Sequence, residues 1–242
     1  MKVLFDAHTH SISSGHCTTD TVTDLARKGK ETGLEYLGVT DHFYGKLTSV
    51  RLGYFTSLKL VSPKKIYGVN MLYGAEVNIL DRHGKIDMPD ETMAKLDYCI
   101  ASLHSNVTKP MDIIANTHAL VNAMQNKYVN ILGHADCKEF IVDFKLLAKE
   151  AKATNTMIEL NAVSVDPQGY RGNSTHLVKD MLKACKNEGV YIVLGSDSHG
   201  RQTVGEFENC LKLLDEIGYP TQLIVNYDMQ LFTQIVNNKR NG

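Results

Sequence analysis

Two histidines one residue apart, His8 and His10, close the first apolar run of the chain, Val3-Leu4-Phe5-Asp6-Ala7. Alternate side chains of a strand share a face, so both imidazoles emerge on one side as half of a transition-metal site. Asp6 has the same parity one step earlier and is placed to accept a ring N–H from a ligating histidine. The same residue types recur where other apolar runs end. His42 follows residues 34–40, Glu76 lies in 71–77, and His104 follows 98–103. His134 follows 129–132, and Asp197 with His199 follows 191–194, repeating the spacing of His8 and His10. His16 stands in the first loop, whereas His118 and His176 fall on helical stretches.

Nine ligand-type side chains exceed what one ion takes, since catalytic zinc typically uses three protein ligands and keeps a position for water. The set implies two or three ions close together, with Glu76 able to bridge two of them. Imidazole and carboxylate suit zinc, manganese or iron, and no thiolate is required. Cys17 adjoins His16 and Cys137 lies just past His134; both are expected to be small buried apolar residues rather than soft ligands.

Positioning these groups requires elements that all deliver their ends to one rim. Short apolar runs alternate with longer amphipathic stretches, the pattern of βαβ units and a parallel sheet. Strands are expected over 3–8, 34–40, 71–77, 98–103, 129–132, 156–160 and 191–194, with a short last one over 223–225. Helices are expected over 19–32, 111–125, 206–217 and the C-terminal stretch, and others are capped by Asp143 and Ser174. The helix over 111–125 is expected to bury Ile114, Ala115, Leu120, Val121 and Met124. Asp81-Arg82-His83-Gly84 reads as a hairpin turn. Active sites of parallel barrels open at the C-terminal ends of the strands, where these ligand types fall. The expected architecture is α/β, a distorted (β/α)7 TIM-like barrel, as one domain spanning 1–242.

The composition permits this. The chain has 242 residues, 43% hydrophobic and 22% charged, which is enough for a whole barrel. No apolar run reaches the ~20 residues of a membrane-spanning helix. Met1-Lys2 leads directly into Val3-Leu4-Phe5 without a signal-peptide layout, so a cytoplasmic product is expected. Five cysteines without a C-x-x-C pair suit a reducing compartment. A net charge of −1 provides no basic field for nucleic acid, and no stable nucleic-acid binding is expected. Residues 44–70 carry turn signals at Gly45, Gly53 and Ser62-Pro63, with Lys46, Arg51, Lys59, Lys64 and Lys65 and no acidic residue. That stretch reads first as a solvated face and second as a basic flap over an anionic substrate.

Taken together, His8-Thr9-His10, Thr40-Asp41-His42, Glu76, His104, Gly133-His134 and Ser196-Asp197-Ser198-His199 resemble the four-part signature of the PHP (polymerase and histidinol phosphatase) superfamily. The resemblance runs from Asp6 to about Gly218 and is nearest to small stand-alone phosphatases with a distorted (β/α)7 barrel and three zinc ions. It implies that His8, His10, Glu76 and Asp197 surround one ion, with Glu76 bridging to a second held by His104 and His134. His16, His42 and His199 would hold the third. The implied activity is hydrolysis of phosphate monoesters by a metal-activated hydroxide, with inorganic phosphate as a product. Asp6 and Asp41 would orient ligand imidazoles or manage protons. Arg171 and Arg201 lie in loops past strand ends, Arg171 near Asn173, and are candidates to clamp phosphate oxygens. Rival readings are a phosphodiesterase or nuclease of the same superfamily, a histidinol-phosphate phosphatase, and a module in which ions only staple loops. The chain does not specify the leaving group, and a homo-oligomer is left open.

Overall fold

The computed structural model of the chain describes residues 1–43, 52–169, 171 and 174–242. Its elements begin with β1 (Phe5–Asp6), β2 (Thr9–His10), α1 (Val22–Glu31), β3 (Tyr36–Val39), β4 (His42–Phe43) and α2 (Leu52–Val61). There follow β5 (Lys65–Ile66), β6 (Val69–Tyr73), β7 (Ala75–Asn78), α3 (Asp90–Met93), β8 (Cys99–Ser102), α4 (Ile113–Ala123), β9 (Ile131–Leu132) and α5 (Phe144–Ala153). The chain ends with β10 (Met157–Asn161), α6 (Ala162–Val165), α7 (Thr175–Glu188), β11 (Ile192–Gly195), β12 (Ser198–His199), α8 (Glu208–Glu216) and α9 (Met229–Asn241).

Parallel pairing runs β1–β3–β6 and β4–β7–β8–β9–β10–β11. Because β1/β2, β3/β4 and β6/β7 are successive pieces of three bent strands, the two series continue one another. The first and last strands meet through Ala7 N–H to Leu194 O (3.3 Å) and Asp197 N–H to His8 O (2.8 Å). The parallel β2–β12 pair continues this seam, with Thr9 opposite Ser198 and His10 opposite His199. The architecture is the expected α/β, distorted (β/α)7 TIM-like barrel.

Strand alternation sorts the apolar residues. Phe5, Ile100, Ile131, Met157 and Val193 pack together inside the barrel, where α9 closes the end from which the strands start with Phe232, Ile235 and Val236. Their neighbours Cys99, Ala101, Leu132, Ile158, Leu160, Ile192 and Leu194 join the core that the outer helices cover.

Several local expectations change. Helix α4 buries Asn116, Thr117, Ala119, Leu120 and Ala123, while Ile114 is 66% exposed. The polar pair wins this face because it is satisfied there: Asn116 Nδ2 donates to Met111 O and Ile141 O, and Thr117 Oγ1 donates to Ile113 O. In place of a strand at 223–225 there are 3₁₀ turns at Thr221–Leu223 and Val225–Tyr227. The Asn226 amide replaces the missing ladder, accepting from Leu194 N and donating to Phe5 O and Leu194 O. Ser174 precedes α7 but makes no cap bond: its backbone (ψ 18°) is not the extended conformation of an N-cap, and its hydroxyl donates to Asp136 Oδ2 at 2.9 Å. Asp143 does cap α5, and the turn at 81–84 does form, closed by Gly84 N–H to Asp81 O. Cys17 is exposed rather than buried, and Cys137 is half-buried.

Gly45, Lys46, Arg51 and Asn173 lie outside the described residues. Of the remaining basic residues in that stretch, Lys59 pairs with Asp97 at 2.7 Å, while Lys64 and Lys65 are exposed. No described helix is long and apolar enough to cross a membrane.

Candidate metal centre

Glu76 on β7 sits at the middle of the rim, 1% exposed, with imidazoles around both carboxylate oxygens. Its Oε2 lies 2.8 Å from His42 Nδ1, 3.3 Å from His8 Nε2 and 3.5 Å from His10 Nε2. Its Oε1 lies 3.0 Å from His134 Nε2 and 3.3 Å from His104 Nε2, and accepts from Ser102 Oγ at 2.6 Å. Asp197 Oδ1 completes the group, 3.2 Å from His10 Nε2 and 3.6 Å from His8 Nε2. His16 arrives from the first loop, its ring 4.9 Å from that of His42 and 5.0 Å from that of His199. All nine residues singled out from the sequence therefore meet in one cluster. Among the described residues, three overlapping trios bring ligand atoms within 4.8 Å of one another: His10/His42/His199, His8/His10/Glu76 and His42/Glu76/His104.

The other ring nitrogens explain why the cluster faces inward. His8 Nδ1 is 2.7 Å from Glu159 Oε1, and His104 Nδ1 is 2.7 Å from Asn78 Oδ1. A carboxylate only accepts, and the Asn78 amide nitrogen is committed as donor to Phe43 O and Asp87, so both rings carry their proton on Nδ1. His10 Nδ1 meets Ser14 Oγ at 3.0 Å. Ser14 spends its one hydroxyl proton on Asp41 Oδ1 (2.8 Å), so it too accepts from the ring. Each of these three rings, bonded outward through Nδ1, turns its Nε2 toward the centre, the arrangement that metal-binding histidines show.

The buried atoms His8 Nε2 and His10 Nε2 make no hydrogen bond among the described residues. Lone pairs converging on a carboxylate without donors are costly in a protein interior. Divalent cations satisfy such a donor set, so the residues fit the ions that the sequence implies.

Electrostatics point the same way. Burial alone would raise the Glu76 carboxyl, yet His8, His42 and His104 hold it well below the usual carboxylate range. Asp197 is likewise held low, against its burial, by His8 and Arg171. Burial pulls His10 and His134 down and takes His42 to about 4, keeping those rings neutral and able to ligate at neutral pH. His8 runs opposite to its burial, raised by Glu159, Glu76 and Asp197. His134 and Asp197 adopt left-handed backbone conformations (φ 30° and 51°), the strain of ~1–3 kcal/mol that clusters at functional sites.

Asp6 plays a different part from the one expected. The strand breaks between β1 and β2, so the parity that would align Asp6 with His8 is interrupted. The Asp6 carboxylate instead accepts main-chain N–H groups of His8, Ser196 and Gly205 (2.9–3.2 Å), and burial lifts it to about 6. Glu159, buried in the middle of β10, takes the ring bond instead. Asp41 acts one residue removed, holding Ser11 and Ser14 and accepting from Tyr54 Oη at 2.6 Å. Arg171 Nη2 bonds Asp197 Oδ2 at 2.7 Å, at the edge of the cluster. Arg201 lines a cavity of about 690 Å³ beside His16 and His199, but its guanidinium is half exposed and faces Asp20 and Asp24.

The PHP domain model matches residues 6–192. A probable phosphatase of Clostridium novyi is 40% identical over 228 residues, covering 94% of this chain and 92% of its own. One from Acetivibrio thermocellus is 35% identical over 241 residues, covering 99% and 98%. Among solved structures, the histidinol phosphate phosphatase of Lactococcus lactis, complexed with zinc, L-histidinol and phosphate, aligns with a TM-score of 0.65 at 18% identity. That alignment covers 90% of this chain and 95% of the other.

Proposed function

The chain belongs to the PHP-domain family, and from that premise we propose that it is a metal-dependent phosphatase that hydrolyses small phosphate monoesters. The observation that carries the reading is the ring of imidazoles around Glu76, with Nδ1 atoms tied outward and Nε2 atoms turned inward. His8, His10, Glu76 and Asp197 would hold one divalent ion, Glu76, His104 and His134 a second, and His16, His42 and His199 a third. Zinc is the first choice, with manganese and iron compatible with the same donors. Such ions supply Lewis acidity and bring the pKa of a bound water toward neutrality.

The chain's own residues set the rest. Glu76 spans two groups of histidines and so fixes their separation. Arg171, 2.7 Å from Asp197, stands at the rim with a guanidinium able to bind two phosphoryl oxygens. Asp41 and Ser14 keep the His10 ring in one tautomer. The cavity lined by Thr18, Asp20, Arg201 and Gln202 offers polar walls to a leaving group.

Zinc-loaded protein should hydrolyse para-nitrophenyl phosphate, lose turnover on chelation and regain it on zinc addition. Activity that survives complete metal removal overturns the reading. Faster turnover of bis(para-nitrophenyl) phosphate or single-stranded DNA favours the phosphodiesterase alternative. Histidinol phosphate belongs in the same panel, because the Lactococcus lactis protein binds histidinol and phosphate.

A further inference from the structure

Glu159 is a charged residue in the middle of a fully buried strand. Along β10 it shares the inward face with Met157, which belongs to the barrel's inner core, and with Asn161. It is 1% exposed, and a carboxylate so deep in a barrel is retained only where it is fully bonded. Its bonds all go to the rim. Oε1 meets His8 Nδ1 at 2.7 Å. Oε2 accepts from the His134 main-chain N–H at 2.8 Å and from Asn161 Nδ2 at 3.1 Å. Asn161 Nδ2 also donates to Asp197 Oδ2 at 3.1 Å. Directly, or through Asn161, one carboxylate thus reaches His8, His134 and Asp197, which lie past the ends of three other strands and of which the last two are held in left-handed backbone conformations.

Two glycines make room for it. A Cβ on Gly195 would collide with Glu159 Oε1, and one on Gly133 would collide with Ser102 Oγ and come within 3.6 Å of Glu159 Oε2. These are the residues that precede His134 and, by two, Asp197. Their lack of a side chain is part of the same construction.

We propose that Glu159 is a positioning residue: it locks the Nδ1–H tautomer of His8, holds the strained His134 main chain and steers Asp197 through Asn161, so that the metal affinity of the Glu76 side of the centre depends on it. The proposal rests on the metal reading given above. It assigns Glu159 no contact with substrate. The His16/His42/His199 side receives none of these bonds and is not governed by it.

The test uses the full chain and zinc as the probe, with zinc retention followed against graded chelator and melting of the zinc-free protein measured alongside. Glu159→Gln keeps the shape but removes the charge. It should lose zinc at roughly 10–100-fold lower chelator, the usual effect of removing a carboxylate behind a ligating histidine. The variant keeps one acceptor for His8 Nδ1 but turns its amide N–H groups on two donors, the His134 N–H and Asn161 Nδ2, so without zinc it should melt lower than wild type. The readout that separates the roles is stoichiometry: zinc at His16/His42/His199 should be retained under chelator that empties the Glu76 side. Wild-type retention by Glu159→Gln overturns the proposal, as does the parallel loss of every zinc, which would mark a packing role. Wild-type protein that takes up no zinc overturns the metal reading itself, a distinguishable result. Should Glu159→Gln fail to fold, Glu159→Asp serves: it keeps the charge but falls a methylene short of His8, and the same loss of zinc is expected, with unchanged retention overturning the proposal.

Discussion

Glu76 is the residue on which most contacts converge, with five imidazoles within 3.5 Å of its two oxygens. On the proposed reading, removing it would withdraw the ligand shared by two ions. Glu76→Ala and His104→Ala should each cut kcat/KM by roughly 10²-fold or more, at least the loss seen when a mere partner of a ligand is removed, while far-UV circular dichroism stays that of a folded barrel. Turnover near wild type in either variant would remove that residue from the site. Ser14→Ala is a subtler probe, because it deletes the acceptor that fixes His10 while leaving the ring in place. It should weaken zinc retention about 10-fold, read by chelator competition. At this scale the sequence was informative where a polar residue directly follows an apolar run, as with His42, His104 and His134. It was silent on Glu159, which is embedded between Ile158 and Leu160 inside such a run and has no motif around it. The signal that could have exposed it is physical: a carboxylate on the inward face of a fully buried strand needs partners, and the only polar neighbours available inside a barrel are at the rim. Asp6 misled for the opposite reason, since a two-residue break in the strand is invisible to an alternation rule.

The elements were legible in order and type but not in their finer register. Seven of the eight expected strands lie where apolar runs place them and the one at 223–225 does not form, yet three of the seven are bent into two pieces, with His10, His42 and Glu76 on the second piece of each. On α4 Leu120 and Met124 are buried as the pattern expects, but Ile114 is exposed, because Asn116 and Thr117 count as polar in any hydropathy pattern whereas their bonds to Met111, Ile141 and Ile113 carry them inward. The C-terminal helix shows what an element contributes without touching the site. Phe232 packs at 5.0 Å against the ring of Phe5 and edge-on at 5.4 Å against Tyr98, the residue whose hydroxyl bonds Ala7 O beneath His8. Phe232→Ala should cost about 3–5 kcal/mol, the range for emptying a buried aromatic site, measured by urea denaturation of zinc-free protein. A loss under about 1 kcal/mol would mean that α9 is not a true floor of the barrel.

Across the whole molecule, one buried cation ties the floor to the wall. Lys239 on α9 is 7% exposed, its Nζ donating to Met124 O at 2.8 Å and Thr154 O at 2.9 Å, beyond the ends of α4 and α5. Burial lowers it from 10.5 to about 8. Between those values the unfolded chain binds a proton that the folded chain does not, so this group makes stability rise with pH across the window. The penalty is complete below about pH 8 and relieved above about 10.5, about 3 kcal/mol in all at 1.36 kcal/mol per unit. Other groups also titrate there, so the comparison is with Lys239→Met, whose stability relative to wild type should decline by that amount from pH 8 to 10.5. A constant difference between the two proteins would show that the ammonium is not penalised. The seam of the barrel has a consequence in time as well as in space. His10 lies opposite His199 in the β2–β12 pair, so the first strand waits for nearly the last. A chain leaving the ribosome displays its opening histidines long before their partner exists, and during that interval they are loose imidazoles on an unfinished surface. On the proposed metal reading, cation capture in the native arrangement would therefore await synthesis past His199, and the residues that clasp the barrel's seam would be the same ones that hold the ion.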